Sequence, residues 1–534
     1  MARKLRSLLA LSLIVAGCSL FGGFYGSRVE AMAEAAAADP YAPPPERDVD
    51  RFVKVYSLVS RTFADPIGPD KAIYKGAIPG MLQTLDPHSN FYDRRDYKML
   101  LEDQRGRYSG VGMQVGPRNE KTVVMAPFPG SPAYRVGLRP GDVIRFVNDR
   151  STAGLTTTEV ADLLKGDRGT AVKIVVTREG APDYLTFTIV REDINRKTVS
   201  DAFWLKPGIG YLKVLSFGDN TGKELDDNLT RLGESNLKGL VLDLRGNPGG
   251  LLNEAVDVAD HFLRKGQTVV SHHGRMSAER TLTAHNGNHG RNYPIVALVN
   301  RYSASAAEIV AGALQDHDRA WILGETTFGK GLVQSVIALK DDTGLALTTA
   351  HFYTPSGRLI QRSYSDKTLY DYYYHQDGSP RDLNDVKMTD SGRTVYGGGG
   401  ITPDEDYATP KLDTLEAQLY RTGLFDFTRS YFSGHPPPKL PSGWMPDDSV
   451  IQRFHDYLTQ HQYRFQESQF QEDGAWIRRY LAREMYIYAF NVDESDRMFA
   501  MTDPEVGRAI DAMPRAASLV EAARKIVVQR MRGQ

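Results

Sequence analysis

The sequence predicts a multidomain α/β protein with a helical N-terminal region and a mainly helical C-terminal extension. Three observations carry this. The chain has 534 residues, and at roughly 100–200 residues per domain that length asks for three or four units. Between about 204 and 360, short apolar runs alternate with amphipathic stretches, the βαβ texture of a mostly parallel sheet with helices on its faces. On either side, apolar residues recur at helical spacing over about 48–104 and again beyond 405.

Bulk composition narrows the class. Hydrophobic residues make up 41%, charged residues 25%, and the formal net charge is −1. Such a balance is that of a soluble globular body and gives no global field to attract nucleic acid. The single cysteine, Cys18, excludes an intrachain disulfide and a thiolate metal cluster. At the N-terminus, Arg3, Lys4 and Arg6 precede a largely apolar run over 8–25, with no charge until Arg28. Positive charge followed by an apolar stretch reads as an export signal within 1–30. Val15-Ala16-Gly17-Cys18 resembles the lipobox of bacterial lipoproteins, where cleavage leaves a lipidated Cys18. Alternatively the run stays uncut as an anchor, since about 18 apolar residues just span a bilayer. Either outcome puts the body outside the cytoplasm, periplasmic and membrane-associated, beyond an Ala/Pro-rich linker over 31–47.

Residues 48–107 form the expected N-terminal helical region. Val49, Phe52, Val53, Tyr56 and Val59 share one face, as do Ala77, Ile78, Met81, Leu82 and Leu85, until Leu85-Asp86-Pro87-His88-Ser89 breaks the period. From 108 to 192 the texture turns to glycine-punctuated alternation. Gly110, Val111, Gly112 and Met113 read as a loop entering a strand, Ser131-Pro132-Ala133 opens a short helix, and 158–164 is a second. Residues 172–177 and 185–190 alternate apolar and polar like a hairpin. This block resembles a PDZ domain, with Gly110, Val111, Gly112 and Met113 in the place of its carboxylate-binding loop.

The stretch 193–404 carries the alternating core. Leu240-Val241-Leu242-Asp243-Leu244 is a buried strand, followed by Gly246-Asn247-Pro248-Gly249-Gly250 and a helix over 251–263. A strand over 295–299 leads into a helix over 305–315, 320–323 is a third strand, and 333–339 with 345–352 form a hairpin. Residues 363–395, polar and tyrosine-rich, are expected as a loop insertion. The extension 405–534 reads as helical and polar. A dimerisation arm, an adaptor surface and a regulatory cover are all compatible with it.

Three segments hold candidate chemistry. Ser305 follows a strand and opens a helix, where N–H groups and the helix dipole favour an anion; with Glu308 three residues on, it also matches an ordinary capping box. Lys330 stands between Gly329 and Gly331 with Phe328, Leu332 and Val333 as neighbours. If buried, its amine loses hydration and its pKa falls from about 10.4 towards the range of a general base; the alternative is a turn lysine with its head in water. The glycines of 246–250 follow a strand and precede a helix, so their N–H groups suit half of an oxyanion hole, or merely a tight connection. No GxSxG elbow, HExxH pair, Walker loop or GxGxxG fingerprint is present.

In this order the segments resemble the carboxyl-terminal processing peptidases, or tail-specific proteases, which are PDZ-containing Ser/Lys serine peptidases. The resemblance spans about 50–404. Its marks include Gly80-Met81-Leu82, Leu85-Asp86-Pro87-His88-Ser89, Leu242-Asp243-Leu244-Arg245-Gly246-Asn247-Pro248-Gly249-Gly250, Ser303-Ala304-Ser305-Ala306, Phe328-Gly329-Lys330-Gly331 and Gly400-Ile401-Thr402-Pro403-Asp404. It implies a crotonase/ClpP-like α/β peptidase core with an inserted PDZ domain. It further implies Ser305 as nucleophile, Lys330 as general base, and Gln334 as the residue that orients the base. Some members use an aspartate, and Asp316 falls at that place; Gln334 is favoured, since a carboxylate beside Lys330 would raise its pKa. The implied oxyanion donors are the N–H of Ala306 and that of Gly249 or Gly250. Lys165 or Arg168 resembles the basic sensor with which some members couple peptide binding to activation, although a solvated turn charge reads as well.

The expected activity is endoproteolysis of exported proteins near their C-termini through an acyl-enzyme, with the PDZ block selecting a free C-terminus. No metal, nucleotide or other cofactor is required. The partners are protein or peptide substrates, with a homodimer or an adaptor as further candidates. A non-catalytic binder and a lipid or thioester hydrolase on the same core are the competing classes.

Overall fold

The computed structural model describes residues 46–532 except 366, 375–381, 434–439 and 442. The expected signal over 1–30, with Cys18, and the linker up to residue 45 lie outside the described residues. Among the described residues no helix is long and apolar enough to cross a membrane. Two compact units divide the chain, 1–81 and 82–534. In the first, Glu46–Thr62 is an α-helix and Asp70–Ala77 a π-helical stretch, in line with the helical periodicity. The helix carries Val49, Phe52, Val53 and Val59 exposed.

The larger unit is built on a six-stranded sheet. Its strands run in the order Phe203–Lys206, Ile209–Lys213, Gly239–Asp243, Ile295–Val299, Trp321–Gly324 and Glu405–Asp406. Only the first pair is antiparallel. Gly239–Asp243 and Ile295–Val299 are buried at every position, which explains why they are apolar apart from Asp243: a parallel strand covered on both faces has no polar side. One face buries the helices Thr221–Leu232, Leu252–Asp260 and Ala306–Asp316 through Leu225, Leu229, Ala255, Val258, Val310 and Leu314. The other face buries Val506, Ala509, Ala512, Met513 and Ala516 of the helix Pro504–Arg532. The extension therefore supplies half of the sheet's cover.

A second, antiparallel sheet joins Asn90–Tyr92, Gly344–Tyr353, Thr268–His273 and Arg280–Thr283, with Leu332–Ala338 also paired to Gly344–Tyr353. The predicted hairpin is present. Asn90–Tyr92 corrects the all-helical reading of 48–104, because those residues pair with Gly344, Leu345 and Ala346. The PDZ-like block is a separate sheet of Met113–Arg118, Lys121–Pro127, Val143–Val147, Arg150–Ser151, Ala171–Thr177 and Leu185–Val190, closed by the helix Thr157–Leu164. A two-stranded ladder of Arg107–Gly110 and Glu192–Asn195 connects it to the core.

Two further sequence expectations need correcting. Residues 363–395 are not a plain loop: they hold the helix Leu369–Tyr374 and a hairpin of Asp382–Met388 with Thr394–Gly397. Tyr372 explains the helix, being buried against the ring of Phe328 and the guanidinium of Arg362. Nor is the extension only polar. It buries its own cluster, including Leu419, Phe427, Phe454, Leu458, Ile477 and Leu481, and reaches the PDZ block through Arg118 over the Phe425 ring and an Arg429–Glu179 ion pair at 3.1 Å.

Candidate active site

The strand Ile295–Val299 ends in a turn fixed by its own polar residues. Asn300 N–H donates to Ser303 Oγ at 2.9 Å, and Ser303 Oγ donates to the Leu244 carbonyl at 2.8 Å. Ser303 is thus structural. Two residues later Ser305 adopts φ 53°, ψ −113°, a region that non-glycine residues enter at a cost of order 1–3 kcal/mol and mostly at functional sites. Its N–H turns back onto Glu308 Oε2 at 2.8 Å, and the helix Ala306–Asp316 begins behind it.

Glu308 joins this turn to the lysine turn. The carboxylate is fully buried and accepts from Thr327 Oγ1 (2.5 Å) and Gly329 N–H (2.6 Å) on one oxygen. The other oxygen accepts from Ser305 N–H (2.8 Å) and Lys330 N–H (2.9 Å). The main-chain nitrogens of Ser305 and Lys330 therefore lie within two hydrogen-bond lengths of each other. Burial pushes the Glu308 pKa above its ordinary value, and the four donors work against that.

The Lys330 amine donates to Gln334 Oε1 at 2.9 Å, and Gln334 Nε2 donates to the His88 carbonyl at 2.5 Å. Among the described residues no hydrogen bond joins the amine to the Ser305 hydroxyl in this conformation. Burial lowers the Lys330 pKa, against partial compensation by Asp86 and Glu308. The walls are aromatic. His88 Nε2 lies 3.0 Å from Tyr372 Oη, and the Arg362 guanidinium lies 4.3 Å from the ring centroids of both Phe328 and Tyr372, which meet edge to face. Burial and then the Lys330 charge push the His88 pKa down to about 3, so this imidazole is neutral at neutral pH. Burial alone would raise Asp86, but hydrogen bonds from the Ser89 hydroxyl and the N–H groups of His88 and Ser89, each 2.7 Å, hold it below its ordinary value. Asp316 is elsewhere: it forms a buried ion pair with Arg358 at 2.5 Å.

Facing Ser305 is the loop 243–251. A Cβ on Gly249 would sit 2.7 Å from Ser305 Cβ and 3.0 Å from the Ala306 nitrogen, at φ +97°, so only glycine fits. Gly249 N–H is taken by Asn247 Oδ1 at 2.8 Å. The N–H groups of Gly250 and Ala306, unlike that of Gly249, donate to no described group. Gly249→Ala is expected to lower kcat by ~10²-fold or more, because its methyl group fills the space before the Ala306 donor; steady-state cleavage rates check this.

In the PDZ-like block, Gly110, Val111, Gly112 and Met113 are buried. Their carbonyls are tied down: Gly112 O accepts from Phe128 N–H (3.0 Å) and Ser131 Oγ (2.6 Å), and Val111 O from Ala133 N–H (2.8 Å). The N–H groups of Val111 and Gly112 donate to no described group, the arrangement an anionic C-terminus needs. Lys165 pairs with Glu102 at 2.7 Å, and Arg168 with Asp193 at 3.2 Å on the surface. Sequence reasoning did not assign His88, Arg362, Tyr372 and Tyr373 to the lysine pocket. The break at 85–89 and the tyrosine-rich run were the available signals.

The model of peptidase family S41 matches residues 208–369, and that of a PDZ domain matches 123–178. A carboxy-terminal-processing protease of Bartonella bacilliformis is 38% identical over 319 residues, covering 59% of this chain and 73% of that protein. The carboxy-terminal processing protease CtpB of Bacillus subtilis is 32% identical over 374 residues, covering 67% and 77%. A solved photosystem II D1 C-terminal processing protease shares 32% identity over 59% of this chain and 88% of its own, at a TM-score of 0.34. The chain belongs to peptidase family S41 and is a PDZ-containing serine-type peptidase of the carboxy-terminal processing group.

Proposed function

We propose that this chain cuts polypeptides near their C-termini with Ser305 as nucleophile and Lys330 as base. The observation that carries the reading is the partly buried Lys330 amine, held by the neutral Gln334 and not by a carboxylate. An amine so placed sheds its proton more readily than one in water. The reading requires the amine to pass from Gln334 to the Ser305 hydroxyl; catalytic hydrogen bonds are often completed only once substrate is bound. Neutral Lys330 then takes the Ser305 proton as Oγ attacks the peptide carbonyl, and the N–H groups of Ala306 and Gly250 hold the oxyanion. The leaving amine receives the proton back, and water repeats the cycle on the acyl-enzyme.

Selection falls to the PDZ block, where the substrate carboxylate would meet the N–H groups of Val111 and Gly112 while its backbone adds to the sheet edge. The basic start and apolar run of residues 1–30 support an extracytoplasmic, tethered location. To test the reading, the full chain is incubated with an unstructured polypeptide ending in an apolar residue, and products are followed by intact mass. Fragments cut near the C-terminus are expected, slowed ~10-fold or more when the substrate carboxylate is amidated, and absent with Ser305→Ala. Equal turnover by Ser305→Ala would refute it.

The pH dependence has a definite sign. Only neutral Lys330 works as a base, so kcat/KM rises with pH through its ionisation. Asp86 stabilises the charged amine. Asp86→Asn is therefore expected to lower the Lys330 pKa further and move the rising limb to lower pH, checked by a pH profile of kcat/KM.

A further inference from the structure

Beyond residue 404 the chain lies outside the motifs that identify the catalytic centre, yet the tip of its last helix meets the oxyanion loop. The contact is made by Arg245, which follows the strand Gly239–Asp243 and precedes the glycines. Its side chain, 14% exposed, is gripped from two sides. From the core, Asp243 accepts from Arg245 Nε (3.0 and 3.1 Å) and Nη2 (2.7 Å), and also from Tyr211 Oη at 2.7 Å. From the extension, Asp503 Oδ2 and Glu505 Oε2 accept from Arg245 Nη1 at 3.1 and 2.6 Å.

The acidic pair is itself held in place. Asp503 Oδ1 accepts from Glu505 N–H at 2.9 Å, at the start of the helix Pro504–Arg532, where carboxylates are favoured. Asp503 also pairs with Arg479 at 3.4 Å. Glu505 is buried, and a Cβ on Gly324 would lie 3.1 Å from its Oε1. The helix tip thus sits against the ends of two sheet strands, Gly239–Asp243 and Trp321–Gly324, the edge of an open α/β sheet where active sites assemble.

From Arg245 the chain runs directly to the donor. Gly246 N–H donates to Asn300 Oδ1 (2.9 Å), Asn247 O accepts from Ala304 N–H (2.9 Å), and Asn247 Oδ1 holds Gly249 N–H. A shift of Arg245 therefore reaches Gly250 and the Ser305 turn within a few residues. We infer that Asp503 and Glu505 are positioning residues for the oxyanion loop, acting through Arg245, so that the last helix of the extension is part of the catalytic unit. This deepens the Ser305/Lys330 reading and rests on it.

The test uses full-length Glu505→Gln, Asp503→Asn and Arg245→Lys, and the Glu505→Gln/Arg245→Lys double variant. Peptide cleavage is measured with unfolding temperatures in parallel. Glu505→Gln is expected to lower kcat by ~10-fold with KM within ~2-fold, since oxyanion donors act in the transition state and not on bound substrate. Asp503→Asn falls in the same direction by less. Added to Arg245→Lys, Glu505→Gln is expected to cost under ~2-fold more, because the two act as a unit. Wild-type kcat in a folded Glu505→Gln enzyme, a change confined to KM, or a full ~10-fold further loss in the double variant would overturn the inference. Should Glu505→Gln not fold, wild-type kcat in Asp503→Asn overturns it and a lowered kcat supports it. Ser305→Ala in the same assay separates the two claims: persistent cleavage there rejects the nucleophile, whereas its loss beside an unaffected Glu505→Gln rejects only the bracing role.

Discussion

Lys330→Ala is expected to cut the cleavage rate by ~10³-fold or more while the enzyme remains folded. Among the described residues its amine makes one side-chain hydrogen bond, to Gln334, and water can take its place in the partly open site. No neighbour can take over as base. His88 stays below its ordinary pKa through burial, which the substitution leaves in place, and its ring nitrogens face Tyr372 and Tyr373. Asp86 is held ionised by three donors that occupy both oxygens. Lys330→Arg is expected to be as inactive as Lys330→Ala, because a guanidinium stays protonated at any working pH. That comparison separates a base from a mere positive charge. Cleavage rates for both variants, with circular dichroism to verify folding, supply the check.

Glu308→Gln is expected to be almost as damaging, and for a different reason. All four groups around this carboxylate present hydrogens to it: the N–H groups of Ser305, Gly329 and Lys330 and the Thr327 hydroxyl. Each carboxylate oxygen serves two of them. An amide of the same shape must place its own NH₂ against one pair of donors, whichever way it is turned. Leaving buried donors unpaired costs about 1–3 kcal/mol each, so a loss of roughly 3 kcal/mol or more in unfolding free energy is expected. The carboxylate links the nucleophile turn to the base turn, so kcat should also fall by ~10²-fold or more in the molecules that remain folded. Denaturant melts and cleavage rates read the two effects separately.

The proposed dyad could be nominated from the sequence because its constraints are local. Ser305 opens a helix after a buried strand, Lys330 stands between glycines among apolar neighbours, and the family resemblance linked the two. The buried strands were visible as largely apolar runs. What sequence could not give was long-range pairing. Glu308 reads as a helix-capping partner three residues from Ser305, and nothing in that spacing reveals that it also binds Gly329 and Lys330. Tyr372 lies in a polar, tyrosine-rich stretch whose texture is that of a loop, with Arg362 just before it, and the two gain their place by packing on Phe328 and on each other. Asp503 and Glu505 are ordinary helix-start acids until the fold brings Arg245 to them. Asp316 was a candidate by position alone, and its buried pairing with Arg358 shows what its carboxylate does instead.

The most direct measurement is a titration of the Lys330 amine by NMR in full-length Ser305→Ala protein, with Lys330→Arg used to assign its resonance. The expected result is ionisation below the ordinary lysine value of 10.5, displaced towards neutrality by loss of hydration. Ionisation at or above that value, with or without bound peptide, would contradict a neutral amine acting as the base.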